Sequence, residues 1–162
     1  MVMNEFKENI ISPSKLNKII NSNNLKIIDC RWYLKDKRKG KQEYMKGHIP
    51  GAIFFDLEKN SDSNNPIPHM LPKKKRFVSF LIKNGISSDN DIVIYDQVGF
   101  FCSSRIWFTF AYFNFKNIKI LNGGIKYWNE HNFKLCVKKK NTFIKQKIQL
   151  KEKKKWLSIL NM

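Results

Sequence analysis

The stretch "IVIYDQVGFFCSSRIWF", Ile92 to Phe108, decides how the rest of the chain is read. An apolar run ends at Asp96, a short loop holding Gly99 follows, and an apolar helical pattern begins near Ser103. A run of that length between turn signals reads as a buried strand. A strand that passes into a helix through a tight loop is where α/β proteins place their chemistry, because ligands bind outside the carboxyl ends of such strands. The side chains here that qualify for chemistry are Asp96, Cys102 and Arg105.

The flanks repeat the pattern. "LKIIDCRW" (Leu25–Trp32), "AIFFDL" (Ala52–Leu57) and "NIKIL" (Asn117–Leu121) read as strands. "KLNKII" follows the start signals Ser12-Pro13-Ser14 and puts Leu16, Ile19 and Ile20 on one helical face. "KKKRFVSFLIKNG" places Phe77, Phe80 and Leu81 at helical spacing and ends on Gly85, a suitable C′ residue. "SSRIWFTFAYFNF" reads as an apolar helix capped by Ser103 or Ser104, and "GGIKYWNEHN" as a short helix. "YLKDKRKGKQEYMKGHIPG" and "EKNSDSNNPIPHMLP" read as polar loops. The alternation predicts an α/β fold, a central parallel sheet flanked by helices on both faces.

Composition narrows the classes. A chain of 162 residues with 42% hydrophobic content supports one domain with a core and excludes wholesale disorder. No apolar run reaches about 20 residues, so no membrane span is expected. "MVMNEFKENIISPSKL" lacks a signal-peptide core, which makes a cytoplasmic location the expectation. The formal charge of +18 raises nucleic-acid binding. Yet of 31 basic residues only Arg31, Arg38, Arg76 and Arg105 are arginine, the type that makes bidentate contacts to bases. Lys, Asn and Ile are all inflated, as an AT-rich coding sequence produces. Lys134 to Lys155 holds ten lysines against Glu152 alone. Residues 137–162 therefore read as a basic, linker-like tail, with Trp156, Leu157 and Leu160 spaced as one amphipathic turn. Specific nucleic-acid recognition is not expected; weak, salt-sensitive polyanion binding stays open. Cys30, Cys102 and Cys136 are widely spaced with no CxxC pair, which argues for reduced thiols rather than a zinc site or disulfide framework. Cys30 and Cys136 read as strand-end cysteines without a partner. No metal or cofactor is expected.

In order along the chain, "IIDCRWYL", "KQEYMKGHIPGAIFFDLE", "PIPHMLP", "GISSDNDIVIYDQVGFFCSSRIWF" and "KILNGGIKYW" resemble a rhodanese domain. The resemblance runs from about Leu25 to Phe133 and is to the N-terminal half of two-domain thiosulfate and 3-mercaptopyruvate sulfurtransferases. "GHIPGA" is shared by most rhodanese domains; "HMLP", "YD" and "LNGG" with a following aromatic point to that half. Gly47 and Gly51 bracket a sharp turn stiffened by Pro50. His48 reads as a turn histidine bonded to backbone, or by type as a catalytic base. Gly123-Gly124 permit a close backbone approach, and Trp128 reads as a core anchor.

The resemblance also implies roles. An active rhodanese domain carries its nucleophilic cysteine directly after the strand occupied here by "DIVIY". That thiolate takes a sulfane sulfur as a persulfide, with loop N–H groups and a helix N-terminus lowering its pKa. Here the position is Asp96, and a carboxylate cannot hold a transferable sulfur. Asp96, Gln97, Val98 and Gly99 thus form a degenerate loop. Cys102 is a substitute thiol by its place at a helix start near Arg105, but it lies at the loop's far end behind Phe100 and Phe101. Arg105 reads as a loop-stabilising residue, paired with Asp96. His69 and Glu58 match a proton relay at the domain interface, although the family usually has Asp where Glu58 stands. For His69 a plain loop role stands beside it.

The expectation is a rhodanese-like domain over 1–136 and the basic tail, with the second, catalytic domain absent from the sequence. Such a truncated chain would engage a small sulfur donor only with a second rhodanese domain, and alone it should not turn over. Three alternatives stay open. One is a free-standing inactive module binding a partner protein, a dimer mate or an anion at the old loop. Another is an enzyme acting through Cys102. The last is a polyanion-binding basic protein.

Overall fold

The computed structural model describes residues 9–36 and 39–137. In chain order its elements are β1 (Ile10–Ile11), α1 (Pro13–Ile19), β2 (Leu25–Asp29), α2 (Lys39–Lys46), β3 (Ala52–Phe54), α3 (Lys74–Asn84), β4 (Asp91–Tyr95), α4 (Ser103–Tyr112), β5 (Ile118–Leu121) and α5 (Gly124–Glu130). The strands form one sheet in the order β1-β5-β4-β2-β3, and every pair is parallel.

Strand alternation sorts the core into two layers. Ile28, Ile92, Ile94 and Ile118 face one side, where α3 brings Phe77, Phe80 and Leu81 and α4 brings Ile106 and Phe110. Leu25, Ile27, Val93, Tyr95 and Leu121 face the other, against Leu16 of α1, Tyr44 of α2, and Ile125 and Trp128 of α5. Helices therefore cover both faces, as the alternation of apolar runs predicted. Trp128 is fully buried and donates its indole N–H to the Lys134 carbonyl at 3.1 Å. Ser12 caps α1 through the Lys15 N–H, and Gly85 ends α3 at φ 60°.

Several local readings are corrected. The stretch read as a polar loop contains α2, which buries Tyr44 as its one large side chain and so shows no apolar stripe. Ile10 and Ile11 pair with Ile120 and Leu121 as an edge strand too short to show a period. "AIFFDL" is strand only to Phe54. Neither serine caps α4: Cys102 holds the N-cap position, and Ser103 Oγ accepts from the Phe100 N–H at 2.9 Å. Cys136 pairs with His48 in an isolated antiparallel bridge, N to O at 3.0 and 2.7 Å. Beyond Val137, the basic tail lies outside the described residues. His48 is buried, stacks on Tyr44 at 4.0 Å, and sets Nδ1 2.8 Å from the Tyr44 carbonyl, which is the turn role.

A buried charge network pins the carboxyl edge of the sheet. Asp29 and Tyr95 are register partners on β2 and β4. The Asp29 carboxylate accepts from Arg31 Nη2 at 2.7 Å, from Arg31 Nε at 3.0 Å and from the Tyr95 hydroxyl at 2.6 Å. Arg31 Nη2 also donates to the Gly47 carbonyl at 2.7 Å, and the Ile49 N–H donates to the Tyr95 hydroxyl at 3.2 Å. Two strands and the "GHIPG" turn are thereby tied together. Burial pulls the Arg31 guanidinium down, but the hydrogen bonds and charge of Asp29 outweigh it and leave its pKa raised. Burial first, then the charge of Asp29, pushes the Tyr95 phenol well up. Removing one partner of such a pair strands the other charge in a dry interior. Arg31→Ala should therefore lose about 3–5 kcal/mol in guanidinium unfolding. A loss under about 1 kcal/mol, the range of exposed pairs, would show that the network does not hold this edge.

Candidate functional site

The loop after β4 folds around its own first residue. Asp96 is fully buried. Its Oδ1 accepts from the N–H of Val98 at 3.0 Å and from the N–H of Gly99. Its Oδ2 accepts from the N–H of Cys102 at 2.9 Å and of Ser103 at 3.0 Å. The last two amides open α4, where N–H groups have no intrahelical acceptor. A carboxylate there also meets the positive end of the helix dipole, and its bonds are charge-assisted. Asp96 thus caps α4 from six residues upstream, which is why neither serine does. The arrangement is a cradle of backbone amides around one negative charge, and the Asp96 side chain fills it.

The Gly123-Gly124 turn buttresses the cradle from below. Gly124 sits at φ 57°, and a Cβ on it would lie 2.4 Å from the Asp96 carbonyl oxygen. Through this gap the Ile125 N–H reaches that carbonyl at 2.9 Å and the Lys126 N–H reaches the Gln97 carbonyl at 3.3 Å. Any side chain here would push α5 off the loop.

Arg105 does not pair with Asp96, which corrects the expected ion pair. The four amides already surround that carboxylate. The guanidinium instead grips the backbone carbonyl of His69, with Nε at 2.9 Å and Nη2 donating to the same oxygen. Burial lowers its pKa from the ordinary value, yet a guanidinium stays charged at neutral pH. The loop it holds is the Pro-rich one before α3. There His69 adopts φ 58°, a left-handed conformation that side-chain-bearing residues seldom take.

That grip presents the His69 imidazole to Glu58. Nε2 lies 2.9 Å from Glu58 Oε1, and the same oxygen accepts the Trp32 indole N–H at 2.8 Å. A carboxylate only accepts, so the bonded tautomer carries its proton on Nε2. The Trp32 ring meets His69 edge-on at 5.0 Å and stacks with Phe101 at 6.4 Å. Gln97 Nε2 donates to the Trp32 carbonyl at 2.9 Å, linking this group to the loop. Both side chains remain partly open, His69 at 24% and Glu58 at 29%. The structure brings Glu58, His69 and Arg105 together, as neighbours of the Asp96 loop. It adds Trp32, Gln97's contact and Phe101, which the sequence reading passed over. The available signal was position: Trp32 leaves the carboxyl end of β2, where parallel sheets place ligands.

Cys102 turns inward, beneath the loop. Its Sγ donates to the Cys30 carbonyl at 2.8 Å and lies 4.0 Å from Cys30 Sγ. Cys30 is therefore not partnerless. Burial, then the contact with Cys102, pushes the Cys30 thiol well up. Among the described residues no three His, Cys, Asp or Glu side chains converge as a metal site would require. A cavity of about 770 Å³ opens elsewhere, beside β3 and α3, lined by Lys41, Phe54, Lys59, Lys73 and Arg76 among others. None of the residues just described lines it.

Known proteins of two kinds match this chain. The family model for the rhodanese-like domain covers residues 12–131. The thiosulfate/3-mercaptopyruvate sulfurtransferase 1, mitochondrial, of Arabidopsis thaliana is 35% identical over 127 residues, which are 78% of this chain and 34% of that protein. The probable 3-mercaptopyruvate sulfurtransferase of Schizosaccharomyces pombe is 36% identical over 67% of this chain and 37% of its own length. Among solved structures, the 3-mercaptopyruvate sulfotransferase SseA of Escherichia coli superposes with a TM-score of 0.78 at 29% identity, over 89% of this chain and 55% of SseA. Tum1 of Saccharomyces cerevisiae does so with a TM-score of 0.69 at 30% identity, over 83% of this chain and 46% of its own. The chain thus spans about a third of the length of these curated relatives. No helix among the described residues is long and apolar enough to cross a membrane. With its family model matched across four of its five parallel strands and the loops between them, the chain belongs to the rhodanese-like domain family.

Proposed function

We propose that this chain serves sulfur transfer from thiosulfate or 3-mercaptopyruvate as the domain that does not carry the nucleophile. One observation carries the reading. The amide cradle at the end of β4, where the resemblance puts a sulfur-bearing thiolate, is filled by the Asp96 carboxylate. A carboxylate cannot become a persulfide. The attacking thiol therefore comes from a second rhodanese domain outside these 162 residues.

What this chain brings is a wall and a proton route. Trp32 and Phe101 form an aromatic surface beside the paired His69 and Glu58. When a thiolate elsewhere takes the donor's terminal sulfur, the bond from that sulfur to the rest of the donor breaks and the departing fragment keeps the electron pair. An imidazole held by a carboxylate is suited to supply or relay a proton to it. Arg105 acts as a positioning residue, since it touches only the backbone that carries His69. Exposed Val98, Phe100 and Phe101 on the same loop give the partner domain an apolar surface to cover. The same rim supports a second reading, a module that binds a protein partner without chemistry. Capture of an anion at the loop is disfavoured, because the amides that would hold it already donate to Asp96. We read the compartment as the cytosol, where thiols stay reduced.

Two outcomes are expected. The purified chain, given thiosulfate or 3-mercaptopyruvate with cyanide as acceptor, should show no turnover above buffer, and Cys102→Ser should match it. Turnover that vanishes in Cys102→Ser would overturn the assignment and make Cys102 the nucleophile. The second concerns the cradle. Asp96→Cys puts a thiol among four amides at a helix start. At pH 7 it should carry about tenfold more thiolate than an ordinary cysteine. Rapid alkylation at position 96, and one added sulfur atom after thiosulfate treatment, would be seen by mass spectrometry. An inert thiol there in a folded variant would show that the loop is not a sulfur-transfer cradle.

A further inference from the structure

Two thiols stand outside the chemistry just described, and they face each other. Cys30 follows the last residue of β2, and Cys102 holds the N-cap position of α4. They are 72 positions apart in sequence, yet their Sγ atoms lie 4.0 Å apart. Each is held in place by a hydrogen bond. Cys102 Sγ donates to the Cys30 carbonyl at 2.8 Å, and Cys30 Sγ donates to the Tyr95 carbonyl at 3.2 Å. A disulfide needs its sulfurs about 2.05 Å apart. Closure brings the sulfurs about 2 Å nearer, by rotation about χ1 at both side chains. We propose that Cys30 and Cys102 are a reversible dithiol–disulfide pair whose closure locks the Asp96–Cys102 loop to the end of β2. This holds whether or not the sulfur-transfer reading stands.

The chemistry balances with a hydroperoxide as oxidant. Cys102 is the entry point, since it is 5% exposed and Cys30 is fully buried. Its thiolate attacks one peroxide oxygen, the O–O bond breaks, and a sulfenic acid forms while the other oxygen leaves as water. The Cys30 sulfur then attacks the sulfenic sulfur. The S–S bond forms, the S–O bond breaks, and the departing hydroxide takes the Cys30 proton and leaves as a second water. The two thiols lose two electrons in all, and hydrogen peroxide becomes two waters. Burial keeps the Cys30 thiol protonated, so Cys30 is the slower of the two to attack peroxide and meets the sulfenic acid that Cys102 has already formed. The two thiol hydrogen bonds are given up in exchange. The new bond runs beside an existing contact, the one from Gln97 Nε2 to the Trp32 carbonyl, so it fastens segments already docked.

The test uses the full folded chain, hydrogen peroxide, and alkylation followed by unreduced peptide mapping. The expected product is a monomer in which the Cys30 and Cys102 peptides are joined and Cys136 is alkylated, and dithiothreitol added afterwards frees the Cys30 and Cys102 thiols while Cys136 stays alkylated. The oxidised form should unfold at a higher guanidinium concentration than the reduced one. In Cys30→Ala, or in Cys30→Ser if Ala does not fold, the link should be absent and Cys102 should be trapped as a dimedone adduct. The proposal fails if Cys30 and Cys102 are both still alkylated after oxidation, if the link runs to Cys136, or if unfolded chain gives the same mixture. The wild-type map decides the question without any variant.

Discussion

The carboxylate of Asp96 is the point on which this end of the molecule is organised. An ionised group in a dry interior is costly by several kcal/mol, and it persists only when hydrogen bonds surround it. Here four backbone amides do so, two from the loop and two from the first turn of α4. Hydrogen bonds to a charge are worth about 1.5–3 kcal/mol each, so a set of this size outweighs the desolvation. The consequences spread outward. The loop must curl tightly, which Gly99 permits at φ 85°. The helix needs no serine cap. The turn before α5 must come close, which only a side-chain-free Gly124 allows.

The neighbouring strand meets the same problem differently. Asp29 ends β2 as Asp96 follows β4, and both are buried at one edge of the sheet. Asp29 is met by the guanidinium of Arg31 and by the hydroxyl of Tyr95 across from β4, beside one backbone N–H, that of Arg31. Asp96 is satisfied by backbone alone. That difference separates a structural acid from one that sits in a cradle. Replacing Asp29 by another residue would leave a guanidinium and a phenol. Replacing Asp96 leaves converging amides, a site ready for another anion.

Much of this was legible in the sequence, and the failures have physical causes. The apolar runs of β2, β4 and β5 and the stripe of Phe77, Phe80 and Leu81 are buried on one or both faces, so their composition announces them. Helix α2 packs through Tyr44 alone, and β1 is two residues long. Neither leaves a period to read. The Arg105–Asp96 pair looked reasonable because opposite charges lie close in sequence. But a charge takes the acceptor that geometry offers, and for Arg105 that is a carbonyl 36 residues away. Contacts of that span, like the 72-residue one between the two cysteines, are set by strand order, which a single sequence states only indirectly.

The placement of His69 bears on what the site is for. A left-handed backbone at a non-glycine residue costs on the order of 1 kcal/mol. Arg105 offsets that by gripping the very carbonyl of that residue with two donors, one at 2.9 Å. Burying part of a guanidinium to hold one loop carbonyl gains little for the core, which lies elsewhere in two apolar layers. It does fix the imidazole against Glu58 and the indole of Trp32, at the rim of a loop whose hydrophobic side chains face solvent. A frame that orients a proton-carrying group next to an uncovered apolar rim is half of a site. In the proposed sulfur transfer that half would be the proton side, and the sulfur side would lie beyond Asp96, whose carboxylate fills the cradle.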